Sequence, residues 1–348
     1  MIITLFIIFL LISTVYLLED YLGSYKKYVY ITIGAVLIAL AATRVVGNDR
    51  DSENYEYTYK YTNDPVNEKT VEFSFLWIAG LLNSVTDDVH AIFLVFALIS
   101  IPLKLFSITK LSPIWFSSLA IYLSNYYILH ELTQIRAGVA AGFFLLAIYW
   151  YVNEHTGKAA LFITLAVFFH YSSVILFPLL LISREEMNFK WKMVWSAVIP
   201  VAYLLHFMHI GLTTIPLPYI SDKIDIYTEM RDRGIMGDEA INVFNAVFLI
   251  KVMVFYYLWY FQETITYVNK AFPFMLKVYC ISLFSFIILA DMPVFAFRIS
   301  EIFGIVEIIL FSNIYFTVKP SYISRPIVIT IGFLFLIFNI FQNELLLS

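Results

Sequence analysis

Apolar residues in this chain do not alternate, and they do not mark one stripe of a helix; they fill runs of about twenty residues separated by short polar turns. That length matches the apolar thickness of a bilayer, which about 20 helical residues cross. The pattern predicts spans near 2–18, 28–46, 89–108, 114–129, 134–152, 192–212, 241–260, 271–290, 295–317 and 323–341. Residues 159–182 also form an apolar stretch, broken by His170-Tyr-Ser-Ser173 and by Pro178, and fit either one tilted helix or two half-helices that return to the same side. Glu72-Phe-Ser-Phe-Leu-Trp-Ile-Ala-Gly-Leu-Leu82 is too short to cross and predicts an interfacial or re-entrant helix. The expectation is an all-α polytopic membrane protein of about 10–12 transmembrane helices. No repeat divides it, so 1–348 is read as one integral-membrane domain, with 47–88 and 213–240 as long loops within it.

Composition removes the alternative of a water-soluble globule: of 348 residues, 61% are hydrophobic and 14% charged, with a mean hydropathy of +0.81. The apolar start, Met1-Ile-Ile-Thr-Leu-Phe6, has no basic leader and no small-residue cleavage site, which marks 2–18 as a retained span. One cysteine, Cys280, excludes an internal disulfide and a cysteine-based metal site. The net charge of −4 says little, because in membrane proteins the placement of Lys and Arg sets orientation. Lys26, Lys27, Lys104, Lys110, Lys158, Arg184, Lys190, Lys192, Lys270, Lys319 and Arg325 all fall in short loops and should be cytoplasmic. They share one side only if 159–182 enters and leaves there, which favours the broken hairpin. Both termini and both long loops then face outward, with Arg44, Arg136, Asp291 and Arg298 gathered at the outer face.

Charge inside the apolar runs points to chemistry. Residues 114–129 and 134–152 read as two spans, so His130-Glu-Leu-Thr133 is expected as a tight turn, with Arg136 just inside the second span. An arginine there costs up to about 2.5–3.5 kcal/mol at a helix centre, and the N–H groups of a helix start add to its positive field. An anion site follows, against the plainer alternative of an arginine that snorkels to the interface. Gly138 and Gly142 form a small-xxx-small pair that lets another helix approach. Arg44 opens an acidic, tyrosine-rich loop in which Asp49 or Asp51 is the candidate proton acceptor. His170, deep in an apolar segment beside Tyr171, is a candidate base or anion donor, or else a helix-helix hydrogen-bonding group. Arg298 and Glu301 share a helix face, where they either pair or present the guanidinium to a phosphate with Glu301 orienting it. His206 and His209 share a face without a carboxylate at ligand spacing. Lys251, Lys277 and Glu307 are read as neutralising one another across helices.

Taken in order, Arg44 with Gly47 and its Asp/Tyr loop, the Glu72 helix, Gln134-Ile-Arg136 with small residues to Ala140, His170-Tyr-Ser172 and Arg298 resemble the EpsG family of Wzy-type exopolysaccharide polymerases, from about Ile31 to Phe303. The family's first motif has Gly-x-Asp with a Tyr four residues later; here Gly47-Asn-Asp49 supplies one half and Asp51 to Tyr55 the other, so the equivalent aspartate stays open. The resemblance implies a GT-C-like glycosyltransferase architecture in the bacterial cytoplasmic membrane, with its active site at the periplasmic face. It implies polymerisation of polyprenyl-diphosphate-linked oligosaccharide, donor and acceptor alike, into O-antigen, capsule or exopolysaccharide. Arg44, Arg136 and Arg298 would hold the diphosphate, because guanidinium forks bind phosphate oxygens bidentately and neutralise the leaving group without calling for a metal. His170, Asp49 or Asp51 would take the acceptor proton. Tyr55, Glu72, Gln134, Tyr171 and Glu301 would contact substrate, with tyrosines of 55–61 and 219–227 stacking on sugar. No cofactor, metal or nucleic acid is expected; membrane lipids and a chain-length regulator are the expected partners. A membrane acyltransferase and a lipid-linked oligosaccharide flippase are the rival functions.

Overall fold

The computed structural model describes residues 1–210 and 241–346, and the expected loop 213–240 with its tyrosines at 219–227 lies outside them. Apart from one isolated bridge between Asp49 and Leu346, the described residues form helices and turns, as expected of a polytopic membrane protein. Among them, four helices are long and apolar enough to cross a membrane: Gly23–Ala42, His90–Leu111, Ile135–Val152 and Ser321–Gln342. Shorter apolar helices stand beside them, among them Ile2–Leu17, Thr156–Phe169, Ala246–Tyr260 and Phe272–Ile288.

The chain divides into two compact units: Met1–Arg184 with Phe261–Met275 and Ile305–Ser348, and Glu185–Tyr260 with Leu276–Gly304. In the first unit we label α1 (Ile2–Leu17), α2 (Lys26–Ala42), α3 (Ser52–Lys60), α4 (Pro65–Thr70), α5 (Phe73–Asn83), α6 (His90–Leu111), α7 (Trp115–Ile121), α8 (Ile135–Val152) and α9 (Thr156–Phe169). Arg44, just past α2, accepts a hydrogen bond on its carbonyl from His90 at the start of α6, so α2 and α6 meet at that end. Lys26 and Lys110 consequently lie at the other end.

Residues 159–182 form the broken hairpin. Helix α9 ends at His170, whose extended backbone (φ −153°, ψ 106°) turns the chain into a 3₁₀ helix over Tyr171–Leu181. The 14 residues of α9 rise about 21 Å and the 11 of the 3₁₀ limb about 22 Å, so the second limb returns as far as the first advances. Its end is tied down by the Tyr151 hydroxyl, which donates to the carbonyls of Leu180 (2.9 Å) and Ile182 (2.8 Å) at the far end of α8.

Three expectations are corrected. His130–Thr133 is not a tight turn: Tyr122–Thr133 form one wide π-helix, buried throughout, and the chain breaks at Gln134 (φ −97°, ψ 63°). Lys104 is not in a loop. It lies inside α6, fully enclosed, donating to Ser100 Oγ (2.8 Å) and to the Glu131 carboxylate, which also takes the Tyr122 hydroxyl (2.8 Å). A buried ammonium needs such a counter-charge, and the π-helix supplies it. Finally, 295–317 is not one span: Pro293–Gly304 belongs to the second unit, and Glu307–Leu310 with Ser312–Phe316 to the first. Glu307 there accepts from the Asn125 amide (2.6 Å), while Lys277 in the second unit donates to the Glu185 carbonyl (2.7 Å).

Candidate functional site

Three helix ends converge in the first unit, and each carries one charged or titratable side chain. Val71 ends α4, and Glu72, also extended, is the N-cap from which the apolar run Phe73–Asn83 begins α5. Arg136 stands in the first turn of α8, immediately after the break at Gln134. His170 is the hinge between α9 and its 3₁₀ limb. Packing among Phe75, Phe96 and Phe169 brings the three ends together, with Phe75–Phe96 and Phe96–Phe169 centroids 5.6 and 5.9 Å apart.

One carboxylate joins the other two groups. Glu72 Oε1 lies 2.9 Å from His170 Nδ1, and Oε2 receives a hydrogen bond from Arg136 Nη1. Burial works to raise the Glu72 carboxyl, but the His170 hydrogen bond and the Arg136 charge outweigh it and hold it below the usual carboxylate range. An ionised carboxylate only accepts, so His170 Nδ1 carries a proton in this contact, which leaves Nε2 as the nitrogen turned to other partners. Arg136 is enclosed on its other sides by the Tyr55 ring (5.8 Å) and the Phe75 ring (5.9 Å), and the Tyr55 hydroxyl interacts with the guanidinium. About a quarter of the Arg136 side chain stays accessible, which leaves N–H groups for a ligand. The positive ends of α5 and α8 reinforce an anion here.

The other expected residues fall in different places. Tyr171 accepts from the Phe73 amide (3.1 Å) through its hydroxyl and is more than half exposed beside Glu72. Gln134 forms the break before Arg136. Arg44 and Asp49 are enclosed and face each other, Nε to Oδ2 at 3.4 Å, with the guanidinium 3.5 Å over the Phe93 ring. Burial lowers Arg44 from its ordinary value, opposed by Asp49. Asp51 is the N-cap residue of α3. Arg298 and Glu301 lie one turn apart on Pro293–Gly304, and Asp291 just before it, in the second unit. His206 is helical whereas His209 lies past the helix end with φ +55°, so the two do not share a helix face.

Sequence reasoning singled out Glu72, Arg136 and His170 but did not join them. The available signal was that each charge sits where an apolar run breaks. It missed the Lys104–Glu131 pair altogether, because both residues stood near predicted turns.

No curated protein and no solved structure matches the chain. Residues 27–345, nearly its whole length, match the EpsG family, a family of Wzy-type polysaccharide polymerases. This polytopic helical chain therefore belongs to the EpsG family.

Proposed function

We propose that the chain joins polyprenyl-diphosphate-linked oligosaccharide units into O-antigen, capsule or exopolysaccharide at the periplasmic face of the cytoplasmic membrane. The observation that carries this is the single Glu72 carboxylate holding His170 by one oxygen and Arg136 by the other. A base and a phosphate-binding cation thereby stand side by side, with their spacing fixed.

His170 Nε2 takes the proton of the acceptor sugar hydroxyl, and Glu72 orients the ring and stabilises the imidazolium that forms. The acceptor oxygen attacks the anomeric carbon of the donor. The bond from that carbon to the diphosphate breaks with its electron pair going to the phosphate oxygen, and Arg136 with the helix starts of α5 and α8 neutralises the charge. The exposed rings of Tyr57, Tyr61 and Tyr171 offer stacking faces for sugar. Lys26, Lys110, Lys158 and Arg184 at the opposite helix ends support an outward-facing site by the positive-inside rule.

The test is polymerisation of a purified lipid-linked repeat unit by protein checked for folding. Arg136→Lys keeps the charge but loses the guanidinium fork and should fall with Arg136→Ala, by about a hundredfold or more in turnover. His170→Ala should fold and lose long chains; removing a purely structural helix-helix hydrogen bond would cost only about 0.6 kcal/mol and leave the ladder normal. Full activity in Arg136→Lys, or a normal ladder in His170→Ala, rejects the assignment. A flippase would instead lose surface units on deletion, and an acyltransferase would keep the ladder.

A further inference from the structure

Asp49, a candidate proton acceptor, stands in surroundings that suit another role. It is completely enclosed and faces the equally enclosed Arg44. Its Oδ1 accepts from the backbone N–H groups of Asp51 (3.1 Å) and Ser52 (2.9 Å), which begin α3. The same turn is tightened from the other side. Gly47, at φ +87°, donates its N–H to Ser52 Oγ (2.9 Å), and a side chain at Gly47 would be strained by that backbone. Arg44 is in turn fixed by its Nη1 donating to the Ala41 carbonyl (2.8 Å) and by the Phe93 ring beneath it.

What α3 carries inward is Tyr55, one turn beyond these anchored amides. Its ring packs on Phe75 at 5.5 Å, and its hydroxyl and ring bear on the Arg136 guanidinium. Farther along, Tyr59 ties the helix down by donating from its hydroxyl to the Thr86 carbonyl (2.7 Å). Position therefore passes in one direction: from the end of α2 through Arg44 to Asp49, through the first amides of α3 to Tyr55, and so to the guanidinium that Glu72 holds on its other side.

We propose that Asp49 is a positioning residue, which with Arg44 sets α3 so that Tyr55 presses Arg136 into the orientation that receives a phosphate. The proposal rests on Arg136 as the diphosphate ligand and adds a second support to it besides Glu72. It also separates the two aspartates: Asp49 Oδ1 receives the amides that begin α3, whereas Asp51 stands at the N-cap position without a side-chain cap hydrogen bond.

The experiment compares wild type with Asp49→Asn, Tyr55→Phe and the double variant, each purified as full-length protein and checked for monodispersity. Binding of farnesyl diphosphate is read by ligand-induced thermal shift, alongside KM, turnover and the pH profile of polymerisation. Asp49→Asn should weaken farnesyl diphosphate binding about tenfold and raise KM to match, with turnover within about threefold and the pH profile unmoved. Tyr55→Phe should do the same, and the double variant should be no worse than either alone, because both act on one guanidinium. Loss of turnover in Asp49→Asn with a displaced pH profile overturns the proposal in favour of a proton acceptor. Unchanged binding in Asp49→Asn, or effects of the two substitutions that multiply, overturns it as well. If wild type itself gives no shift with farnesyl diphosphate, or Arg136→Ala binds it equally well, the failure is that of Arg136 as diphosphate ligand. Should Asp49→Asn not fold, Tyr55→Phe against Arg44→Lys carries the same comparison.

Discussion

Gly138→Ala tests how closely the arginine helix must approach its neighbour. A Cβ built at Gly138 falls 2.5 Å from the His130 carbonyl oxygen, 3.1 Å from its carbonyl carbon and 3.2 Å from its Cβ. A carbon resting against a carbonyl oxygen needs about 3.3 Å, so α8 or the π-turn must withdraw by most of an ångström. The obstacle is backbone, which cannot rotate away as a side chain can. Overpacking of this kind costs about 1–3 kcal/mol, here at the upper end. Replacing a helical glycine returns about 1 kcal/mol, and the net is a loss of about 2 kcal/mol. Function should suffer more than stability, because Arg136 stands two residues earlier on the same helix and moves with it relative to Glu72. A displacement near 1 Å can cost about a hundredfold in rate. Thermal unfolding in detergent and turnover on a lipid-linked repeat unit read the two effects separately. Gly142→Ala is the comparison: its Cβ would meet the Leu103 Cβ at 3.0 Å and the Ser100 carbonyl only at 3.4 Å, so it should be milder in both. Wild-type unfolding temperature together with wild-type turnover in Gly138→Ala would refute the close crossing as the device that places Arg136.

Two further outcomes follow from the buried charges. The folded state holds the Glu72 carboxyl below its ordinary value of 4.5, so the unfolded chain binds its proton first as pH falls; the stability from the Glu72 contacts is full above about 4.5 and is lost on descending through the lower folded value. Unfolding temperatures from pH 6 downward should therefore fall more steeply in wild type than in Glu72→Gln, and parallel curves would contradict the coupling. Lys104→Met leaves Glu131 enclosed without its counter-charge and should cost about 3–5 kcal/mol, whereas Lys104→Met with Glu131→Leu should come within about 1 kcal/mol of wild type. Equal unfolding temperatures for the single and double variants would show that the pair does not act as a unit.

The apolar runs told the class of fold directly, since nothing but lipid accommodates so many of them, and the family emerged from the order of short motifs. The hairpin at 159–182 was legible because His170-Tyr-Ser-Ser173 and Pro178 interrupt an otherwise apolar stretch. Glu72, Arg136 and His170 were legible one by one, as charges at breaks in apolar runs. Their meeting at one carboxylate was not, because it depends on three helix ends that are 98 residues apart at the widest, Glu72 to His170. The π-helix over Tyr122–Thr133 escaped for a related reason: its extra residue per turn is sustained by tertiary partners such as Lys104 on Glu131, and no local propensity announces it. Arg44 and Asp49 stand out in the sequence as exceptions in an otherwise solvated loop, but their complete enclosure and mutual contact are tertiary facts that no local pattern announces.

The two limbs of the hairpin reach the same depth with different numbers of residues, and this makes backbone geometry a ruler for the base. Were Tyr171–Leu181 wound as an α-helix, it would be shorter by about 5 Å, since each residue would rise about 1.5 Å instead of about 2.0 Å. With its lower end moored by Tyr151, the apex would be drawn down by that amount, and a contact of 2.9 Å between His170 and Glu72 could not survive it. The stretched winding is thus what lifts the imidazole to the level of the carboxylate. Inserting or deleting one residue in this limb shifts that level by about 2 Å, more than the hydrogen bond tolerates, so the length of an otherwise featureless apolar segment is as constrained as the histidine at its tip.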